Sequence, residues 1–409
     1  MHGINVTKPA NHKWTFKQRM RAKAFGWRAS RLAIERLREA AVEIRAVAPR
    51  DPVRAADGVV GLVERIWPAF EHIDTSSGAL GGAVQRTLDE LIPLIAEAPA
   101  DPRTRAGWLD RLWQAILDDG VSYLSPVEEA WGDLCASTEV ASRWADEIRP
   151  ILRAAWSDSR PGNYVKGTDV CLASLLAAGR HEELFAVLAL KARPIWPWRR
   201  YGIRALVAEG RLDDALAYAE ASRGLNIPNT AIDTECEAIL LPAGRRDEAY
   251  RQYALTANSM STGLATFRRL VEKYPEVDSA QLLSDLADSS GDPGRWFAAA
   301  KDAGHLDLAF SLATAGRTDP RTLIRASRDF LKSEPGFALR VGRLAVERIL
   351  AGHGYEITTL DLAAAVDHFL AAATRLGVAA DAQQELNQML ADHPELPSFM
   401  RLQVSRRAR

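Results

Sequence analysis

The chain has 409 residues, of which 47% are hydrophobic and 26% are charged, and its formal net charge is −1. The hydrophobic share is ample for a core, and the charged share is ordinary for a soluble protein. A net charge this close to zero excludes a global field that would attract nucleic acid or a membrane, although it leaves room for a local basic patch.

The cysteines and the apolar runs predict a cellular location. Cys135, Cys171 and Cys236 lie far apart and lack C-x-x-C spacing, which argues against a disulfide scaffold and against a cysteine zinc site. No apolar run approaches the roughly 18 residues of a membrane-spanning helix, and no signal-peptide segment opens the chain. We therefore expect a cytoplasmic protein without a membrane partner. Abundant Ala, Arg, Gly, Leu and Asp with scarce Lys suggest a bacterial, GC-rich source.

A basic, aromatic segment opens the chain. Residues 1–34 contain no acid, and their Lys and Arg residues alternate with tryptophan and phenylalanine. Cations bind phosphates and aromatic rings stack on bases, so this segment is a candidate for nucleic-acid binding. The candidate residues are Lys13, Trp14, Lys17, Arg19, Arg21, Lys23 and Arg28. The alternative is that the segment docks inside the chain or on a protein partner.

The rest of residues 1–157 is predicted to be an irregular helical domain, or alternatively a set of repeats eroded past recognition. Ile34, Leu37, Ala41 and Ile44 form a stripe with helical spacing. The dipeptides Asp101-Pro102 and Ser125-Pro126 are typical of a capping residue followed by a proline at a helix start. No segment alternates between apolar and polar residues as a strand would, so we expect no β-sheet.

Familiar catalytic motifs are missing from the sequence. It has no G-x-x-x-x-G-K-[ST], G-x-S-x-G, H-E-x-x-H or G-x-G-x-x-G pattern. His72 and Asp74 form the tightest His/acid pair, and the run from Asp74 to Gly78 fits either a helix cap or an anion site. We expect no catalysis, no cofactor and no metal. An unfamiliar active site near His72 and Asp74 is the third alternative.

A helical repeat follows residues 157–167, which are predicted to be a linker. The motif G-R-x-[DE]-[DE]-[AL] starts at Gly179, Gly210 and Gly244, and a weaker copy starts at Gly304, with spacings of 31, 34 and 60. This period predicts stacked helix pairs. The glycine favours the left-handed conformation that ends one helix. The acids fall in the first turn of the next helix, where its dipole favours them.

These repeats resemble the tetratricopeptide pattern over roughly residues 165–335, although the Gly179 copy has Leu184 in place of alanine. The matching residues are Gly210, Ala215, Tyr218 and Pro228, and then Gly244, Ala249 and Tyr253. The arrangement is also similar to uncharacterised bacterial α-solenoid proteins. The resemblance implies a curved superhelix with a concave groove for a partner. We thus expect an all-α solenoid of antiparallel pairs at 165–335, between an irregular N-terminal domain at 1–157 and a C-terminal cap at 336–409.

The segment from Arg193 to Tyr201 lies between the first two repeats. Tryptophan, tyrosine and arginine dominate binding hot spots. We therefore predict partner contacts for Arg193, Trp196, Trp198, Arg199, Arg200 and Tyr201. The alternative is that the tryptophans fill the seam between helices while the arginines are solvated. The predicted function is a non-catalytic interaction or scaffold module for a protein or peptide. The alternative function is nucleic-acid association through the basic N-terminal segment.

Overall fold

The structure, a computed structural model, describes residues 13–157, 165–191, 194–224 and 227–393. Across these residues the secondary structure is helical and contains no strand, apart from one isolated bridge between Gly224 and Ile227. The predicted all-α class is therefore confirmed. None of the helices in these ranges is both long and apolar enough to cross a membrane. The contacts divide the chain into two compact units, Met1–Arg223 and Gly224–Arg409.

The first unit begins with eight helices of very different lengths. They are α1 (Phe16–Arg19), α2 (Ser30–Val47), α3 (Pro52–Phe70), α4 (Ala79–Ala96), α5 (Pro102–Asp118), α6 (Ser125–Glu129), α7 (Trp131–Cys135) and α8 (Thr138–Ser157). The predicted cap of α5 is confirmed, because Asp101 Oδ1 accepts the N–H groups of Arg103 and Thr104 at 2.9 and 3.0 Å. Ser125 is instead the first residue of α6 and makes no capping bond.

Two pairs of helices complete the first unit. They are α9 (Thr168–Ala177), α10 (His181–Leu188), α11 (Trp196–Ala208) and α12 (Leu212–Glu220). Helix α9 packs against α10, α11 and the earlier helices α6, α7 and α8, and α10 also contacts α11. One hydrophobic core extends from Trp14 to Tyr201. Most of the predicted linker, residues 158–164, lies outside the described residues, and the three predicted domains stay a prediction.

The second unit is also helical throughout its described part. Its elements are α13 (Asn229–Leu240), α14 (Arg246–Ala249), a π-helix (Tyr250–Ala254), α15 (Leu255–Ala257), α16 (Gly263–Lys273), α17 (Ser279–Asp288), a 3₁₀-helix (Pro293–Trp296), α18 (Phe297–Asp302), α19 (Leu306–Ala315), α20 (Pro320–Phe330), α21 (Pro335–Leu350), α22 (Thr359–Leu376) and α23 (Ala379–Asp392). Helix α16 contacts α17 and α18, and α20 contacts α21 and α22. Their buried side chains form a core from Ala254 to Leu390.

The motif glycines close their helices as predicted. Gly179, Gly210, Gly244 and Gly304 have φ values of 69°, 75°, 75° and 83°. In each copy the next residue donates its N–H to a carbonyl five residues earlier, for example Arg211 to Leu206 at 2.9 Å. This bond completes the Schellman turn that a left-handed glycine permits. The chain therefore uses one turn geometry four times.

The arginine of the motif has a structural role that the sequence analysis did not assign. It pairs with the acid three residues later in all three full copies. The Nε–oxygen distances are 2.6 Å for Arg180–Glu183, 2.8 Å for Arg211–Asp214 and 2.8 Å for Arg245–Glu248. The pair links the turn to the first turn of the following helix. The second acid of the motif therefore serves this ion pair as well as the helix dipole.

Candidate partner-binding site

The aromatic residues of the N-terminal segment are mostly internal. Trp14, Phe16 and Phe25 are buried, and the ring of Phe25 lies 5.5 Å from that of Phe70 on α3. Trp14 covers Gly58 of α3 so closely that a methyl group there would lie 2.4 Å from the indole. These contacts match the internal-docking alternative. They remove three of the four aromatic rings from a nucleic-acid surface, whereas Trp27 is 65% exposed.

Some basic residues of this segment contact helices α2 and α3, and the others are exposed. Arg19 pairs with Glu39 of α2 at 2.7 Å, and the Lys17 side chain lies against Gly61 of α3. The remaining candidates are exposed: Lys13, Arg21, Lys23 and Arg28. Of these, Lys23 lies four residues before Trp27 in the chain, and Arg28 follows it directly. We call Lys23, Trp27 and Arg28 the Trp27 surface.

His72 and Asp74 lie in an exposed turn. Asp74 Oδ1 accepts the N–H of Ser76 at 3.0 Å, and this bond lowers the pKa of Asp74. The backbone of Asp74 is bonded to Trp27 and Ser30, so the turn holds the start of α2 in place. Throughout the described ranges, no group of three or more His, Cys, Asp or Glu residues is placed to hold a metal ion.

The predicted partner segment is divided between interior and surface. Arg193 lies outside the described residues. Trp198 and Tyr201 are buried, and Trp198 packs on Trp156 of α8 with ring centroids 4.8 Å apart. Trp198 therefore fills a helix seam, as the alternative interpretation proposed.

The two adjacent arginines differ in their contacts. Arg199 lies over the ring of Tyr218 at 4.0 Å and donates to its carbonyl at 2.8 Å, so Arg199 holds α11 to α12. Arg200 lies 3.9 Å from Glu129 of α6. Both Arg200 and Trp196 are partly exposed. Arg199 is also partly exposed, but its guanidinium donates to Tyr218 and Ser222. Trp196 and Arg200 are therefore the described side chains of the predicted contacts that a partner could reach.

Tyr201 of α11 is buried beside two acidic residues, Glu129 of α6 and Asp169 of α9. We define the α6–α9–α11 junction by Glu128, Glu129, Asp169, Trp198 and Tyr201. Its geometry depends on the start of α9, where the N–H of left-handed Gly167 (φ 81°) donates to Glu128 Oε2 at 3.2 Å. The next residues bring Asp169, in the first turn of α9, toward α6 and α11.

Burial raises the pKa values of two acids of the junction, Glu128 and Asp169. It raises the pKa of Glu128 to about 7, and the neighbouring Asp169 carboxylate adds to the shift. Burial raises the pKa of Asp169 to about 6, with a further contribution from Glu129. Trp198 and Tyr201 direct hydrogen-bonding groups at the Asp169 carboxylate and partly offset this rise in its pKa, although Asp169 Oδ1 and Tyr201 Oη make no hydrogen bond of normal geometry. The Tyr201 hydroxyl and the Asp169 carboxylate therefore interact with each other in a contact weaker than a normal hydrogen bond.

Sequence reasoning found Trp198 and Tyr201 but missed the acids. Glu128 and Asp169 lie on different helices and far apart in the chain, so no spacing rule connects them. The one local signal is Asp169 itself, a single acid at the start of the apolar run V-C-L-A-S-L-L. A charge next to such a run has to point away from the core or find a partner.

The weakly bonded Tyr201 hydroxyl can be tested by paired substitutions. Tyr201→Phe is expected to leave the free energy of unfolding nearly unchanged, because the Tyr201 hydroxyl makes no hydrogen bond of normal geometry. Tyr274→Phe is the matched control: Tyr274 is equally buried, and its hydroxyl donates to Glu237 at 2.7 Å. That loss should cost about 1–3 kcal/mol. Urea unfolding measures both, and equal losses would show that Tyr201 makes a full hydrogen bond to Asp169.

The raised pKa of Glu128 predicts a pH dependence. A carboxyl whose pKa is higher when folded stabilises the fold below its unfolded pKa, and this stability is lost as the pH rises toward 7. Glu128→Gln should therefore stabilise the first unit at pH 8 by about 1–3 kcal/mol and have little effect at pH 4.

Tryptophan fluorescence can follow the unfolding of the first unit, because every tryptophan except Trp296 belongs to it. Urea titrations at several pH values then compare Glu128→Gln with the wild type. The exposed Glu182 provides the control variant Glu182→Gln, which should show no such trend. A constant difference between Glu128→Gln and wild type from pH 4 to 8 would contradict the burial argument.

Comparison with known proteins adds no assignment to this geometry. The chain matches no protein-family model and no curated protein. The tetratricopeptide-like resemblance therefore remains an interpretation of the repeat residues.

Proposed function

We propose that the chain is a non-catalytic interaction or scaffold module that binds a protein or peptide partner. The binding face lies on α9 and α11, the side that would line the concave groove of a tetratricopeptide-like solenoid. Two features support stacked antiparallel pairs: the fourfold use of one glycine turn, and the contacts of α9 with α10 and α11.

A stripe along α11 carries the proposal. Trp196, Arg200, Arg204 and Val207 recur at intervals of four, four and three residues, so they share one face of the helix. All four are partly or fully exposed, although α11 is otherwise largely buried. Tryptophan and arginine are enriched among residues that dominate binding energy. We call these four residues the α11 stripe.

Site-specific crosslinking tests the proposal. A photoreactive benzoylphenylalanine replaces Val207 in the tagged full chain, which is then irradiated in extracts of the native host. A discrete protein adduct is expected, and Trp196→Ala with Arg204→Ala should reduce it at least tenfold. The matched control places the same probe at Val271 of α16, which is 37% exposed compared with 36% for Val207. Identical adducts from both positions, or no effect of the substitutions, would count against the α11 stripe.

A second candidate function is nucleic-acid association through the Trp27 surface. The supporting observation is the 65% exposure of Trp27 between two exposed cations, Lys23 and Arg28. Single-stranded DNA should bind with a salt dependence that falls by about 1.4 in slope when both cations are replaced by alanine. Trp27→Ala should weaken binding at all salt concentrations. An unchanged slope would remove this candidate.

A further inference from the structure

A cleft of about 170 Å³ lies between α2 and α4 of the first unit. It is several times larger than one water molecule, whose share of the liquid is about 30 Å³. Its polar lining consists of Arg38 and Arg45 of α2 and of Arg86, Thr87 and Glu90 of α4. The spacing of seven residues on α2 and of three to four on α4 places each set on one face of its helix. Three arginines therefore border one cleft between two packed helices.

The three arginines of the cleft differ in their partners. Arg45 forms an ion pair with Glu90, which joins α2 to α4. Arg38 and Arg86 are exposed, and their guanidinium groups make no ion pair or hydrogen bond with any residue that the structure describes. The guanidinium of Arg86 lies beside Gly82, where no side chain limits its rotation. Two unpaired positive charges at one cleft repel each other, and an anion bound between them would relieve this repulsion.

The charge balance of the cleft favours a dianionic ligand. Glu90 neutralises Arg45, which leaves one positive charge each on Arg38 and Arg86. A phosphate monoester carries a charge of about −1.5 to −2 at pH 7. The forked guanidinium group matches phosphate oxygens and can donate two parallel hydrogen bonds to them. The hydroxyl of Thr87 provides a further donor on the α4 side.

The remaining lining residues of the cleft are aliphatic. They are Ile34, Ala41 and Ala83. None of the eight lining residues is aromatic, so a nucleic-acid base would find no ring to stack on. Each phosphate of a nucleic-acid backbone is a diester with a single negative charge and would balance only one of the two unpaired arginines. The cleft therefore fits a single dianionic phosphate group better than a nucleic-acid strand.

We propose that the cleft between α2 and α4 binds a dianionic phosphate group, either as free phosphate or as the monoester of a small molecule. The guanidinium groups of Arg38 and Arg86 donate hydrogen bonds to its oxygens, and Thr87 donates a third. Glu90 holds Arg45 in the ion pair, so Arg45 contributes less to binding. The site shares no residue with the α11 stripe and goes beyond the proposed function.

Three small probes test the phosphate site through their ³¹P resonances. Inorganic phosphate, methyl phosphate and dimethyl phosphate are each titrated with the full chain at pH 7.5 and low ionic strength, where screening is weak. Dimethyl phosphate is the control, because it is a monoanionic diester of similar size. We expect saturable shifts for inorganic phosphate and methyl phosphate, and binding at least tenfold weaker for dimethyl phosphate. A shift for inorganic phosphate alone would identify free phosphate as the ligand, whereas shifts for both would include monoesters.

Substitutions connect the ³¹P signal to the arginines of the cleft. Arg38→Gln and Arg86→Gln each remove one guanidinium and should each weaken the binding of inorganic phosphate at least tenfold. Glu90→Gln removes the carboxylate that holds Arg45 and should strengthen binding several-fold. The matched control is Arg153→Gln on α8, because Arg153 is also exposed on a long helix and does not line the cleft. Urea unfolding verifies that each variant is folded.

The gain of binding expected for Glu90→Gln is the sharpest result, because a purely structural role of the arginines predicts no gain. Unchanged binding in both Arg38→Gln and Arg86→Gln, or an equal loss in Arg153→Gln, would overturn the phosphate site. Absence of a saturable shift with inorganic phosphate would also overturn it. Dimethyl phosphate bound as tightly as methyl phosphate would overturn the dianionic ligand in favour of a phosphodiester backbone. The Val207 crosslink is independent of all these outcomes.

Discussion

Replacing Gly316 with alanine is expected to destabilise the second unit by about 3 kcal/mol. The added Cβ would lie 1.9 Å from the backbone nitrogen of Gly294 and 2.4 Å from Asp292 Oδ1. The backbone of Gly316 is extended, at φ −123°, so any residue could adopt its conformation. The expected loss is therefore steric, and because the nearest atom belongs to the backbone, a side-chain rotation cannot relieve it.

The close approach at Gly316 is part of a hydrogen-bonded contact between two loops. Asp292 Oδ1 accepts the N–H of Gly294 at 3.0 Å and that of Arg317 at 2.6 Å. The hydroxyl of Thr318 donates to the carbonyl of Gly294 at 3.1 Å. A shift large enough to admit a methyl group would break one or more of these bonds. Steric strain and lost hydrogen bonding therefore act in the same direction.

Urea unfolding followed by circular dichroism would measure the effect of Gly316→Ala. The control is Gly336→Ala at the exposed start of α21, where an added Cβ meets nothing within 4 Å. This change should stabilise the protein by about 0.4–1 kcal/mol, because alanine has less conformational entropy to lose. Tryptophan fluorescence should change little in either variant, since only Trp296 reports on the second unit. A Gly316→Ala variant that unfolds at the wild-type urea concentration would show that the loops do not approach so closely in solution.

The parts of the fold that were predictable are those that local chemistry decides. The left-handed conformation of Gly210 could be predicted because glycine favours it and because a new helix begins directly after this residue. The cap at Asp101 is equally local. The helical class follows from stripes of apolar residues with helical spacing. The π-helix at Tyr250–Ala254, in contrast, gives no such signal, because it depends on how the helix packs.

The candidate site was less predictable because burial depends on residues that are distant in the chain. Trp198 and Tyr201 have the composition of a binding hot spot, yet Trp156 of α8 and the start of α9 enclose them. The same applies to Trp14, which reads as a stacking residue and instead packs on α3. The sequence shows side-chain chemistry but not which neighbour covers it. For this reason, the proximity of Glu128 and Asp169 can be recognised only once the packing of the helices is known.

Replacing Glu237 with alanine is expected to have the largest effect, a loss of about 3–5 kcal/mol. Glu237 is 1% exposed, and its carboxylate accepts from Lys273 at 2.5 Å, from Tyr274 at 2.7 Å and from Asn258 at 2.7 Å. Its removal leaves the ammonium of Lys273 without its carboxylate and the hydroxyl of Tyr274 without its acceptor, while the amide nitrogen of Asn258 keeps only its bond to the carbonyl of Ala254. A fully paired network of this kind is stable as a whole and costly to interrupt.

A graded series separates the charge of Glu237 from its hydrogen bonds. Glu237→Gln keeps an acceptor oxygen but places an amide N–H₂ near the donors, so it should cost about 1–3 kcal/mol, less than Glu237→Ala. The exposed Glu272 on α16 supplies the control Glu272→Gln, which should change stability by less than about 0.5 kcal/mol. The double variant Glu237→Leu with Lys273→Met removes both charges and should recover part of the loss, because no unpaired charge remains. If Glu237→Gln were as stable as wild type, the ion pair between Glu237 and Lys273 would contribute nothing to stability. The hydrogen bonds and packing of the network alone would then account for its stability.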